Sequence, residues 1–200
     1  MNRASFFDSI KSVFSNLTQE KIEEIQSAYW LAKVVHRDQK RDSGERYFEH
    51  CRRVAIILIE QGITSSDAII VALLHDCIED GLLPQGILLK ILGAKITEAV
   101  EILSKTTPVF DENGTIIART PKYINPYYEQ IAKAPTWVRC IKLVDRIDNL
   151  RHMGVWEEDR KQKYKEETTT FLIPIARDTD PVLTIELERL SHISVDKVEV

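Results

Sequence analysis

Apolar side chains recur at spacings of three and four from the eighteenth residue onward. Ile22, Ile25, Tyr29, Ala32 and His36 fall on one stripe behind Thr18, a residue suited to an N-cap, and this predicts an amphipathic helix that ends near Gln39. The segment KRDSGE, with Ser43 and Gly44, then carries turn chemistry. A second helix is expected from about Tyr47: His50, Val54, Ile57 and Leu58 share one face, Glu49, Arg52, Arg53 and Glu60 the other, and Gly62 supplies the stop.

The third predicted helix, Ala68 to Asp80, follows the capping segment TSSDA and shows no polar face before His75, so other helices must wrap it. Shorter helices are expected in PQGILLKILG and ITEAVEILSK. Thr107 to Pro126 is the least regular part, with Asn113-Gly114 as a hairpin signal for a short β-hairpin in the 108–126 loop. A long helix opens at Thr136 and closes at Gly154, turning Trp137, Ile141, Val144 and Ile147 inward. Beside that stripe Asp145, Asp148, Asn149 and His152 stand at i, i+3, i+4 and i+7 and are therefore neighbours. Two further helices complete the pattern, with Pro174 kinking or ending the first. The expected fold class is all-α, a helical bundle formed by one domain over residues 1–200.

Composition narrows the function classes. A formal net charge of −4 gives no broad basic field to hold a polyanion, so nucleic acid is not expected as a partner. The three cysteines, Cys51, Cys77 and Cys140, are widely spaced in apolar or helical contexts and read as reduced core thiols, which fits a cytoplasmic location. The N-terminal MNRASFFDSIKSVF alternates charge with apolar residues, so neither a signal peptide nor a membrane span is expected.

The stretch VALLHDCIEDG carries the chemistry. A buried apolar run leads straight into His75, Asp76, Glu79 and Asp80, and an ionised carboxylate inside protein costs several kcal/mol unless it is paired or bound to a cation. In a continuing helix His75 would stack on Glu79 and Asp76 on Asp80, a two-by-two block at the helix end. Imidazole with carboxylate suits zinc, iron, manganese or a similar ion better than an all-oxygen calcium shell, and the adjacent pair needs ligands from distant helices. His50 and Asp145 are the two inward-facing candidates.

Four segments, VVHRDQKRDSGERYFEHCRRVA, LLHDCIEDG, LGAKITEAVEILSKTT and IKLVDRIDNLRHM, occur in an order and separation that resemble the hydrolase half of the RelA/SpoT alarmone enzymes. These are metal-dependent HD-domain hydrolases, and the resemblance runs from about Ile25 to Asp178. Without room for synthetase and regulatory domains, the chain looks like a stand-alone small alarmone hydrolase with an HD-domain helical bundle.

The resemblance implies a set of roles. His50, His75, Asp76 and Asp145 match the family's metal ligands, with Mn2+ the expected ion. Glu79 and Asp80 match the acidic pair that handles the attacking water. Arg41, Ser43, Tyr47 and Asn149 fall where the family meets the guanine nucleotide, and Lys142, with Arg146, is a candidate phosphate partner. The implied reaction removes the 3′-pyrophosphate from ppGpp or pppGpp, giving GDP or GTP and pyrophosphate. Asp42, Cys51 and His152 depart from the family pattern, and Asp42 and His152 lie near the expected nucleotide site. Two alternatives stay open: a phosphatase of the same fold acting on another nucleotide such as NADPH, and a silent nucleotide-sensing module. Oligomeric state is not read from the sequence.

Overall fold

The computed structural model describes residues 3–13, 17–63, 65–79, 83–113 and 115–192. The first helix, α1 (Arg3–Val13), is absent from the sequence reading, which saw only alternating charge there. Phe6, Phe7 and Ile10 gather on one of its faces and are buried, with both phenyl rings near Tyr29 at 5.3 and 5.4 Å.

Thr18 caps α2 (Gln19–Val35), accepting a hydrogen bond from the Lys21 amide. The helix stops four residues before Gln39 because the chain beyond it is engaged elsewhere. Tyr47 N donates to Gln39 O (3.1 Å) and Arg41 N to Glu45 O (2.8 Å), closing a tight loop in which Gly44 takes φ +83°. That conformation favours glycine.

The next helix, α3 (Tyr47–Glu60), ends as expected at Gly62. This glycine adopts φ +75°, and Ile63 N reaches back to Leu58 O (3.0 Å) in a Schellman-type stop. Within α4 (Ser66–Leu74) every residue from Ala68 to Leu74 is buried, enclosed by α2, α3 and the helices described below. Here the expectation of a helix to Asp80 is corrected: the α-helix ends at Leu74, and Cys77 N→Leu74 O (2.9 Å) and Glu79 N→Asp76 O (3.2 Å) are i→i−3 turns. The two-by-two helical block therefore does not form. Asp80 lies outside the described residues.

The two predicted short helices make one hydrogen-bonded element, α5 (Gln85–Leu103), broken at Gly93, whose φ of 79° and ψ of 175° lie in a region open almost only to glycine. The strands β1 (Thr106–Phe110) and β2 (Ile116–Pro121) pair antiparallel with Thr106 opposite Pro121 and a bulge between Val109 and Phe110. The hairpin thus starts two residues before the expected loop. Asp111 ties its turn by accepting from Asn113 N and Thr115 N, while Gly114 lies outside the described residues. Pro126, read as loop, sits in the first turn of α6 (Ile124–Lys133), where the lost N–H had no helical partner.

The centre of the bundle is α7 (Thr136–His152), followed by a 3₁₀ turn over Met153–Val155. Trp137 is only partly buried, but Ile141, Val144 and Ile147 are in the core. Packed against α3, α4, α5 and α6, this helix also buries Lys142, Asp145, Arg146 and Asp148. The chain closes with α8 (Glu158–Glu167), a π-helical turn over Thr168–Leu172, α9 (Ile173–Arg177) and α10 (Pro181–Ser191). The π turn stands just before Pro174, which lacks the N–H an uninterrupted helix would need. Cys51, Cys77 and Cys140 are buried and unbridged, and no helix among the described residues is long and apolar enough to cross a membrane.

Candidate metal centre and adjoining cleft

Three segments bring His50, His75, Asp76 and Asp145 together. His50 comes from α3, His75 and Asp76 from the turn after α4, and Asp145 from the middle of α7. His50 Nε2 lies 3.7 Å from Asp76 Oδ2 and 3.2 Å from Asp145 Oδ1. His75 Nε2 lies 3.2 Å from Asp76 Oδ2 and 3.7 Å from Asp145 Oδ1. Among these, one ligand atom each from His50, His75 and Asp76 lies within 4.8 Å of the others, the spacing of a set that could hold a metal ion.

The tautomers fit a cation. His75 Nδ1 is 2.8 Å from the Ala72 carbonyl, which only accepts, so Nδ1 carries a hydrogen and Nε2 is the nitrogen left to hold either a proton or a cation. That Nε2 is buried and forms no hydrogen bond among the described residues. His50 Nδ1 is 2.6 Å from Asp148 Oδ2, which leaves its Nε2 directed at the cluster in the same way. Two carboxylates packed against two imidazole nitrogens repel unless positive charge, a proton or a cation, sits between them. Burial opposes charge on His75, yet Asp76 and Asp145 outweigh it and hold the imidazole well above its ordinary pKa. Burial likewise opposes charge on Asp145, but Lys142 and then the two histidines hold its carboxyl well below the usual range. The cluster therefore attracts a cation, and a two-His, two-carboxylate donor set suits a divalent ion.

Other groups hold this arrangement. Tyr47 donates its hydroxyl to Asp76 Oδ2 (2.7 Å), and the Asp76 charge together with burial keeps that phenol protonated. Lys142, a candidate phosphate partner from the sequence, is buried with its ammonium 2.8 Å from Asp145 Oδ2. Arg146, the other such candidate, is fully buried and bonds Tyr128, Glu167, Thr168 and the Tyr164 carbonyl. It faces neither solvent nor the cluster's ligand atoms.

Glu79 reaches the same region from its turn, with Oε2 accepting the Lys105 amide at 3.1 Å. Burial, and then the charge of Asp76, raise its carboxyl above the ordinary carboxylate range, while Lys105 and Lys142 act the other way. The turn thus delivers Glu79 beside Asp76 without the helical stacking expected from the sequence.

A cleft of about 270 Å3 adjoins the cluster, with Tyr47 belonging to both. Arg41, Ser43, Tyr47 and Asn149, the remaining sequence candidates, all line it. Arg41 bonds the Asn149 amide oxygen, and Asn149 Nδ2 donates to Asp145 Oδ1 (2.6 Å), so cleft and cluster share one hydrogen-bonded chain.

Residues 28–180, about three quarters of the chain, match the family model described as HD domain. The protein belongs to the HD domain family. This HD domain is 31% identical over 179 residues to a guanosine-3′,5′-bis(diphosphate) 3′-pyrophosphohydrolase of Aquifex aeolicus, with 88% of the chain and 24% of that relative covered. It is 32% identical over 154 residues to a GTP pyrophosphokinase of Brucella melitensis, covering 76% of the chain and 20% of the relative. The chain thus spans a quarter or less of the length of these two relatives. Among solved structures, a metazoan ortholog of SpoT described as hydrolysing ppGpp superposes with a TM-score of 0.69 at 24% identity, covering 84% of this chain and 93% of that one.

The HD domain also contains site residues that the sequence reading missed. Asp148 was placed in the polar patch but given no role, and Arg53 was assigned to the opposite face of its helix from His50. Arg53 Nε in fact donates to Asp148 Oδ1 (2.7 Å) and its Nη1 to Glu45 Oε1 (2.6 Å), a buckle that holds the carboxylate against His50. The position of Arg53 three residues after His50 was the available signal. Trp156, to which the sequence analysis gave no role, lines the cleft, with the Arg160 guanidinium 3.9 Å from its ring centroid and Arg160 paired to Asp42 at 2.7 Å. Two of the three departures from the family pattern, Asp42 and His152, line this cleft. His36, on the apolar stripe of the first predicted helix, is buried, stacks on Tyr47 at 4.9 Å and meets Gln39 Oε1 at 2.5 Å.

Proposed function

We propose that this HD domain is a metal-dependent guanosine-3′,5′-bis(diphosphate) 3′-pyrophosphohydrolase, converting ppGpp or pppGpp and water to GDP or GTP and pyrophosphate. The observation that carries the reading is the junction at Tyr47, where a cluster of two imidazoles and two carboxylates opens directly onto a cleft lined by Arg41, Ser43 and Asn149. The kinship with a 3′-pyrophosphohydrolase of Aquifex aeolicus supports the substrate class.

In this reading His50, His75, Asp76 and Asp145 hold one divalent cation, with manganese as the expected ion. A bound divalent cation supplies Lewis acidity, lowering the pKa of water and offsetting phosphate charge. The protein's own groups do the rest. Glu79, whose carboxyl burial and Asp76 raise above the ordinary range, is the base that takes a proton from the attacking water. Asp80 remains a candidate partner of Glu79 from the sequence alone. Arg41 and Ser43 orient the nucleotide in the cleft, with Arg41 held by Asn149 and Asp148. Tyr47 keeps Asp76 in one orientation by donating to Oδ2, and Asn149 does the same for Asp145 Oδ1. Lys142 balances the charge of Asp145, and its ammonium is near enough to Glu79 to oppose that residue's raised pKa.

The test is a product assay. Manganese-loaded protein is given guanosine tetraphosphate or NADPH, and pyrophosphate and orthophosphate are measured. Pyrophosphate and GDP from guanosine tetraphosphate, lost in Asp76→Ala, are the expected result. Orthophosphate from NADPH alone would transfer the reading to a nucleotide phosphatase, and tight nucleotide binding with no turnover to a sensing module.

A further inference from the structure

A second cavity, of about 410 Å3, lies between α2 and α3. Phe48 and Arg52, which line it, stand about 160° round α3 from His50, so this cavity is on the face of the helix turned away from the metal centre. Its lining carries Lys33, Arg37, Arg46 and Arg52 against a single carboxylate, Glu49. Four permanent cations around one half-open space repel each other, which favours a counter-anion there.

The existing pairs do not neutralise the cluster. Glu49 is taken by Arg52. Arg37 reaches only Asp38 at 3.6 Å, with both side chains strongly exposed at 76% and 88%, and such a pair contributes little. Lys33 rests its ammonium over the Trp30 ring at 4.9 Å, which leaves its charge without a carboxylate, and Arg46 pairs with no carboxylate among the described residues. Arg52 is held on one side by Glu49, and its side chain keeps a small accessible surface towards the cavity that it lines.

We propose that this cavity is a second anion site that takes a small phosphate-bearing molecule. Guanidinium groups fork onto phosphate oxygens with two parallel hydrogen bonds each, and Arg37, Arg46 and Arg52 supply three such forks around one space. The edges of Tyr29 and Phe48 line the same cavity and offer an apolar wall to whatever carries the phosphate. A single basic cavity on a chain whose net charge of −4 leaves no extended basic track favours a small molecule over a nucleic acid. This inference is independent of the proposed hydrolase activity.

The experiment is two-dimensional amide NMR of the full chain loaded with magnesium, titrated with inorganic phosphate and with pyrophosphate, and with chloride as the control anion. Saturable shifts are expected at the amides of Lys33, Phe48 and Arg52, and they should persist in Asp76→Asn, where the metal centre is impaired. Arg37→Glu with Arg46→Glu reverses two exposed charges at the rim without touching the core, and is expected to weaken binding by at least about tenfold. Shifts confined to the surroundings of His75 and Asp145, shifts equally produced by chloride, or unchanged affinity in the double variant would each overturn the proposal.

Discussion

Asp148 Oδ2 lies 2.6 Å from His50 Nδ1, and the same carboxylate receives Arg53 Nε at 2.7 Å through its other oxygen. A carboxylate behind a histidine fixes both its tautomer and its ring plane, so His50 presents Nε2 to the cluster before any ion arrives. Asp148→Asn, which keeps the shape and removes the charge, should therefore weaken divalent-metal affinity by about 10–100-fold. Calorimetric titration of manganese into both proteins measures this directly. Equal affinities would show that Asp148 serves packing alone.

Glu79 gives a different signature. As the base it must be ionised, and its carboxyl is raised above the ordinary range by burial and Asp76. Turnover should accordingly rise with pH as Glu79 loses its proton, and fall away on the acid side at a pH above the usual carboxylate value. Glu79→Gln should lose about 10²–10⁴-fold in turnover while retaining metal affinity. An unaltered acid limb in a residually active Glu79→Gln protein would assign that limb to another group.

Metal should also stabilise the fold, because the two carboxylates and two imidazoles meet only in the native state. At a metal concentration of 100 times Kd the gain is about 2.7 kcal/mol. Thermal melts with manganese and with chelator should differ for the natural protein and coincide for Asp76→Asn. A metal-induced rise in Tm of equal size in both would place the ion elsewhere.

The Arg146–Glu167 pair carries a stability prediction free of the metal. Arg146 is fully buried and Glu167 half-buried, and although burial opposes its charge, Arg146 holds the Glu167 carboxyl below its ordinary range. A carboxyl depressed in the folded state stabilises above its unfolded pKa of about 4.3 and loses that contribution as pH falls through the folded value. Glu167→Gln should thus cost about 1–3 kcal/mol at neutral pH, and the difference should shrink progressively below about pH 4. Urea titrations at the two pH values measure it. A difference that grows in acid would contradict the sign.

Much of the scaffold was legible in the chain because local rules act over a few residues. The stripe from Ile22 to His36, the stop at Gly62, the unrelieved apolar run of Ala68–Leu74 and the break at Gly93 each follow from side-chain spacing or backbone freedom. So did the grouping of Asp145, Asp148 and Asn149, which helical periodicity makes neighbours wherever the helix lies. Where the reading failed, a distant partner had overridden the local preference. The helix expected to run to Asp80 stops at Leu74, and in the turn that follows Glu79 meets the Lys105 amide. Phe6 and Phe7 form a core face only because Tyr29 is there to receive them.

The sequence by itself determined the helical character, the side chains available for chemistry and the clustering of charge after a buried helix. Only the tertiary structure decided that four donors from three segments share one centre, that Arg53 reaches Asp148 from 95 positions away, and that Trp156 lines a cleft. The physical reason is range. Dihedral preference and periodicity extend over a turn or two, whereas a charge buried in a helical bundle is neutralised by whichever group packing brings within hydrogen-bonding distance, however far away it lies in the chain.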